Sequence, residues 1–342
     1  MNLKEIRDKA RTATKGSCRV CPVCDGRVCA GEVPGMGGAG TGASFKANVS
    51  ALAEVRLNTR LIHNVRHPKL ETEILGLKLS LPLLIGPIGG IAFNLGQGLP
   101  ENEYQAAIVG GAEDAGIVAG LPDAVPIEVM ETGLACARAH PGRTIPFIKP
   151  WESADFLKKL DMCAAAGCGV VGSDLDSIGL ITLRQMGHPA YAKDRAELAA
   201  LVTEARSRGL KFIIKGIMSV EDAVACAEAG VDAIIVSNHG GRVLDWAPGS
   251  AEVLPEIASA VRGRMALIVD GGVRSGVDIL KMLALGADCV MIGRPFAVAA
   301  IGGGREGVGL YANTYRGQLE QAMIMTGCPD VRLAGPKLLF GF

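Results

Sequence analysis

From about residue 80 onward, short apolar runs alternate with amphipathic stretches of roughly ten to fifteen residues, and they do so eight times. The runs are Leu81–Ile88, Gly116–Leu121, Thr144–Lys149, Gly169–Leu175, Lys211–Ile217, Ala233–Asn238, Ala266–Asp270 and Cys289–Ile292. Such runs are too short for helices and suit strands buried on both faces of a parallel sheet. The stretches after them, around 101–114, 127–140, 153–166, 197–208, 219–229, 250–262, 275–285 and 305–326, carry helical periodicity. Ser153, Ser219 and Ser275 stand where N-caps belong, and Gly167, Gly209, Gly230 and Gly286 where C-terminal caps belong. Units 216–238 and 272–293 resemble each other: a small turn, a helix, Ala-Gly-Val-Asp-Ala or Leu-Gly-Ala-Asp-Cys, then a strand. Eight strand–helix units predict an α/β fold, a (β/α)8 TIM barrel over 81–342, rather than an open doubly wound sheet. Residues 1–80 are expected to form an N-terminal cysteine- and glycine-rich extension that packs on the barrel. In it the pattern predicts a short opening helix, a helix at 45–56 and a hairpin within 71–79. Residues 176–196 interrupt the pattern after strand four and predict a partly mobile loop over the barrel mouth.

The bulk composition excludes several classes. Lys+Arg and Asp+Glu both number 35 in 342 residues, and no basic block stands out, so neither nucleic acid nor an anionic membrane is expected as a partner. The longest apolar runs fall far short of a membrane span. Residues 1–7 lack the apolar core of a signal peptide and 339–342 carry no peroxisomal tripeptide, which gives a cytoplasmic expectation. Ten cysteines in such a chain do not read as a disulfide framework. Six of them (Cys136, Cys163, Cys168, Cys226, Cys289, Cys328) sit in apolar or Gly/Ala-rich segments and read as small hydrophobes.

In a barrel the C-terminal ends of the strands converge on one mouth. Strand seven ends in Asp270-Gly271-Gly272-Val273-Arg274-Ser275-Gly276, and strand eight in Gly293-Arg294-Pro295. Barrels often bind phosphate on these two loops; glycine-turn N–H groups with two arginines suit a dianion. Lys215 ends strand five, where a buried ammonium needs an anionic partner. Strand six runs into Ser237-Asn238-His239-Gly240-Gly241-Arg242-Val243-Leu244-Asp245. A histidine there can take a proton near neutral pH, and an arginine three residues on can grip a carboxylate with its fork of donors.

That nonapeptide closely resembles the signature of the FMN-dependent 2-hydroxy-acid dehydrogenases and oxidases, such as glycolate and lactate oxidases. The resemblance runs from about 211 to 334 and more weakly from about 70 to 120. It implies oxidation of a small (S)-2-hydroxy acid to the 2-oxo acid, with hydride passing to flavin N5. By position, it implies His239 as general base, Asp174 as the carboxylate orienting it, and Arg242 as the substrate anchor. Lys215 would sit near flavin N1 and O2 and support the chemistry there. Pro87, Ile88, Gly89, Lys215, Ser237, Asp270, Gly271, Gly272, Arg274, Gly293 and Arg294 would hold FMN. It also implies a homo-oligomer, tetramer or octamer. Other readings are an FMN barrel isomerase of the type 2 isopentenyl diphosphate kind, disfavoured by the His-Gly-Gly-Arg run, and a flavin/thiol redox sensor. Neither the hydroxy acid nor the electron acceptor is named by the sequence.

The chain departs from the family pattern in three places. The N-terminal tyrosine that helps bind the carboxylate is missing. Ile148-Lys149-Pro150 replaces Gln-x-Tyr after strand three. The second family arginine has no residue at its spacing, with Arg184 the nearest substitute. Cys18, Cys21, Cys24 and Cys29 follow a C-x2-C-x2-C-x4-C spacing that suits an iron–sulfur cluster, a zinc ion or a set of oxidisable thiols. Residues 35–40 match G-x-G-x-x-G but lack a preceding strand, so they read as a flexible loop near the mouth rather than a nicotinamide site. His63, His67, His140 and His188 stand alone and read as surface or satisfied histidines.

Overall fold

The computed structural model describes residues 1–96 and 98–341. Its strands are β1 (Thr72–Ile74), β2 (Leu77–Leu79), β3 (Leu83–Ile85), β4 (Val118–Pro122), β5 (Thr144–Ile148), β6 (Val170–Asp174), β7 (Lys211–Ile217), β8 (Ala233–Val236), β9 (Ala266–Asp270) and β10 (Cys289–Ile292). Strands β3 to β10 close into a parallel barrel, β10 pairing with β3. Each of the eight expected runs supplies one barrel strand. The fold is therefore the (β/α)8 TIM barrel. The helices are α1 (Leu3–Ala13), α2 (Ala43–Glu54), α3 (Ile91–Asn94), α4 (Glu101–Asp114), α5 (Ile127–Ala139), α6 (Ser153–Ala165), α7 (Ile181–Gln185), α8 (Arg195–Ser207), α9 (Val220–Ala229), α10 (Ser250–Val261), α11 (Gly276–Ala284) and α12 (Arg294–Thr326).

Alternation along the strands makes two cores. Leu84, Val118, Phe147, Ile213, Ile235, Ile268 and Met291 fill the barrel, with Ile74 and Leu79 of the antiparallel β1–β2 hairpin packed onto the same cluster. A side chain at Gly172 would strike the Phe147 ring, so a small residue faces a large one inside. The residues between them, such as Ile214, Ile234 and Val269, face the helices.

Two local expectations change. The N-cap of α6 is Glu152, with Ser153 already inside the helix; Ser219 and Ser275 do cap α9 and α11, accepting from Asp222 N and Asp278 N. The expected helix over 305–326 is present as the second part of α12, and an unforeseen helical part from Arg294 precedes it, separated from it by the break at Gly304 (φ 55°, ψ −148°). This first part, rich in alanine and glycine, lacks the polar stripe that marks an amphipathic helix. No helix among the described residues is long and apolar enough to cross a membrane.

Candidate active site

The turn after β8 is built from three successive residues in left-handed conformation: His239 (φ 55°), Gly240 (φ 64°) and Gly241 (φ 79°). For histidine this conformation costs about 1–2 kcal/mol and persists only where the surroundings impose it. Ser237 Oγ accepts from His239 N at 3.0 Å, and Asn238 Oδ1 accepts from Gly241 N at 3.0 Å. Asn238 Oδ1 also accepts from Asn48 of α2 at 2.7 Å. A Cβ on Gly241 would come within 2.3 Å of Phe45 N, so helix α2 lies directly against the turn.

His239 Nδ1 lies 2.9 Å from Asp176 Oδ1. This corrects the expectation for Asp174. The aspartate that meets the histidine sits two residues later, in the 3-10 turn Leu175–Gly179, and Gly216 leaves the space its Cβ occupies. Asp174 instead contacts Lys215 at 3.6 Å and Lys149 at 3.8 Å. Lys215 Nζ is also 3.4 Å from His239 Nδ1, but Nδ1 cannot both accept from the ammonium and donate to the carboxylate. The shorter contact to a carboxylate places the proton on Nδ1 and leaves Nε2 as the basic nitrogen. Burial pushes the imidazole below its usual value; Asp176 opposes this and Lys215 adds to it. Burial alone would raise Asp176, but His239 and Lys215 hold it down at about 2. Lys215 is held charged against burial by Asp176, Asp174 and Asp270. Burial raises Asp270, and Lys215 opposes it.

Arg242 enters the same cleft with one amide partner, Asn94 Oδ1 at 2.8 Å, while its Nε is buried without a hydrogen-bond partner among the described residues. Burial pulls its guanidinium down to about 10. A guanidinium largely withdrawn from water, with no carboxylate partner among the described residues, is prepared for an anion.

Pro87, Ile88, Asp174, Lys215, Arg242, Asp270, Gly271, Gly272, Arg274, Gly293 and Arg294 line one cleft with His239. Gly89 lines its continuation, together with Lys149, Thr182, Leu183 and Met186. Two expected residues fall outside. Ser237 is fully buried beneath the turn, its hydroxyl accepting from His239 N. Arg184 is exposed on α7, which turns its neighbours Thr182 and Leu183 to the cleft instead. Residues unmarked by the sequence reading do contribute: Asp176, Asn94, Asn48 and Met36. Asp176 follows a strand and Asn94 and Asn48 sit in helices, whereas Met36 lies in a turn with no such signal.

The end of the cleft formed after β9 and β10 fits a phosphate. Gly271 (φ 102°) and Gly272 (φ 81°) turn the backbone ahead of α11, and a Cβ on Gly272 would come within 2.2 Å of Asn48 O. Arg294 donates to Met36 O at 2.8 Å and Gly240 O at 2.9 Å and lies over the Phe45 ring at 3.9 Å. Arg274 donates to Cys24 O at 3.2 and 3.1 Å. Two arginines, a glycine turn and a helix start are the donor set an anionic phosphate requires. Of the isolated histidines, His140 meets Glu113 at 2.8 Å and His63 meets Arg60 O at 2.9 Å, away from the cleft.

The chain matches the model of the FMN-dependent dehydrogenase family over residues 35–186 and 188–340. It belongs to that family and is an FMN-dependent oxidoreductase. An L-lactate oxidase of Lacticaseibacillus rhamnosus is 33% identical, over 89% of this chain and 88% of that protein. A peroxisomal (S)-2-hydroxyacid oxidase of Arabidopsis thaliana is 31% identical, over 86% and 87%. A solved mandelate oxidase variant with (S)-mandelic acid superimposes with a TM-score of 0.80 at 28% identity, over 99% and 97% of the two chains. These relatives side with the dehydrogenase and oxidase reading and against the isomerase and the redox sensor.

Proposed function

We propose that this chain oxidises a small (S)-2-hydroxy acid to the 2-oxo acid in the His239–Arg242 cleft. The observation that carries the reading is Arg242, whose Nε is buried without a hydrogen-bond partner and whose guanidinium meets no carboxylate among the described residues, beside a neutral imidazole held in one tautomer by Asp176. Arg242 holds the substrate carboxylate. His239 Nε2 takes the hydroxyl proton, and Asp176 stabilises the imidazolium that forms. Lys149 lines the same hollow, within the stretch that replaces the family's Gln-x-Tyr, and serves as a second cation for the carboxylate. Gly271, Gly272, Arg274, Gly293 and Arg294 would hold the FMN phosphate, and Pro87, Ile88, Gly89, Lys215 and Asp270 the remainder. FMN supplies the two-electron acceptor when bound. A metal or iron–sulfur cluster on the N-terminal cysteines belongs with this reading as an addition to FMN. The enzyme works in the cytoplasm as a homo-oligomer, by its family resemblance a tetramer or octamer.

The test is anaerobic mixing of the yellow protein with a panel of 2-hydroxy acids, followed at the flavin absorbance. Bleaching by one class of (S)-acids, with FMN and not FAD released on denaturation, is expected. A flavin that no hydroxy acid reduces would overturn the reading.

A further inference from the structure

The four N-terminal cysteines are unused by the chemistry above and lie in residues 1–34, ahead of the family match. None is in a disulfide, and all four line one cavity of about 320 Å³. A water molecule takes about 30 Å³ of liquid, so the hollow far exceeds the need of one ion. Sulfurs around zinc at about 2.3 Å would stand within about 4 Å of one another. Among the described residues, the group of three His, Cys, Asp or Glu ligand atoms lying within 4.8 Å of one another is Asp174, Asp176 and His239; no three cysteine sulfurs meet that spacing. A cluster of several irons holds its thiolates further apart, with sulfide between them.

Charge points the same way. Arg7, Arg19, Arg274 and Arg294 line the cavity, with Asp25 as the carboxylate among them. A cluster on four thiolates is anionic, and this excess of cations suits it. Two donors already face sulfur: Val20 N toward Cys18 Sγ at 3.5 Å and Arg274 toward Cys24 Sγ at 3.6 Å. Hydrogen bonds of this kind accompany cluster thiolates and tune them. We propose that Cys18, Cys21, Cys24 and Cys29 ligate an iron–sulfur cluster in this cavity.

The cavity shares Met36, Arg274, Arg294 and Pro295 with the cleft assigned to FMN. Whatever orders Cys24 therefore orders the arginine facing the phosphate, so cluster and FMN favour each other's binding. This coupling rests on the FMN reading; the cluster itself does not.

The experiment is anaerobic purification of the whole chain, followed by iron, acid-labile sulfide, zinc and flavin analysis and electron paramagnetic resonance after dithionite reduction. Iron and sulfide in equal amounts, with a resonance distinct from a flavin radical, are expected. The double variant Cys21→Ser, Cys24→Ser should lose both and bind FMN about tenfold more weakly, as coupled sites do. Zinc without sulfide, or metal-free protein, overturns the cluster whatever the flavin content. Unchanged FMN affinity in a folded, cluster-free double variant overturns the coupling. The analysis of unmutated protein stands by itself if the variant does not fold.

Discussion

At the scale of single residues, the proton chemistry rests on one contact, Asp176 to His239. Asp176 raises the imidazole against burial and Lys215. Replacing it with asparagine removes that support, so the imidazole becomes a weaker base and its pKa falls further. The acid limb of kcat/KM should lie below the ordinary histidine value of about 6.5 in the unmutated enzyme. In Asp176→Asn it should move to lower pH while the plateau drops about 100-fold or more. His239→Gln should nearly abolish flavin reduction with flavin still bound. A pH profile unmoved by Asp176→Asn would assign the base elsewhere. The carboxylate contacts separate differently. Arg242→Lys loses the bidentate fork and should raise KM far more than Lys149→Met, whose ammonium already has Asp174 at 3.8 Å. Equal effects in steady-state kinetics would mean that Lys149 and Arg242 share the anchoring. The sequence marked His239, Arg242 and Lys215 because polar residues at the C-terminal end of an apolar strand stand out against it. Asp174 is assigned to the histidine only by its position in the family resemblance. A single 3-10 turn carries the next aspartate further round, and that rotation is not encoded in any short motif.

At the scale of elements, the eight barrel strands were legible because strands covered on both faces are almost purely apolar and sharply bounded. Helix α2 was foreseen near its place, but not its contact with the His239 turn, because packing between segments some 190 residues apart leaves no local pattern. Two glycines test that contact. At Gly241 (φ 79°) an added methyl meets Phe45 N at 2.3 Å, whereas at Gly263 (φ 74°) nothing lies within 4 Å. Both substitutions incur left-handed backbone strain of about 1–2 kcal/mol, and Gly241→Ala adds overpacking of about 1–3 kcal/mol. Gly241→Ala should therefore unfold at distinctly lower denaturant and lose flavin reduction, while Gly263→Ala should lose only the smaller stability increment and keep activity. Similar midpoints for the two would show that α2 yields freely to the turn.

At the scale of the whole molecule, the segments 56–62 and 325–340 lie together on the surface. Arg60 N donates to Met325 O at 2.9 Å, Phe340 N donates to Arg56 O at 2.8 Å, and Leu57 bridges to Leu339. This surface leaves large apolar side chains in water: Ile62 is 97% exposed, Leu61 72%, Leu333 68% and Phe340 56%. Single exposed hydrophobes are ordinary, but several on adjoining segments are the usual mark of a face that another chain covers. The face is built from backbone hydrogen bonds well outside the described cleft, so altering its side chains should spare the chemistry. Light scattering on the purified protein should give a tetramer or octamer, in line with the family resemblance. Ile62→Asp combined with Phe340→Asp should shift it to a smaller species, because two charges at each copy of the contact cannot be buried without partners. Flavin reduction by substrate should survive in the smaller species. A monomer at micromolar concentration before any substitution would remove the oligomer from the reading. An unchanged assembly in the double variant would place the interface on another face.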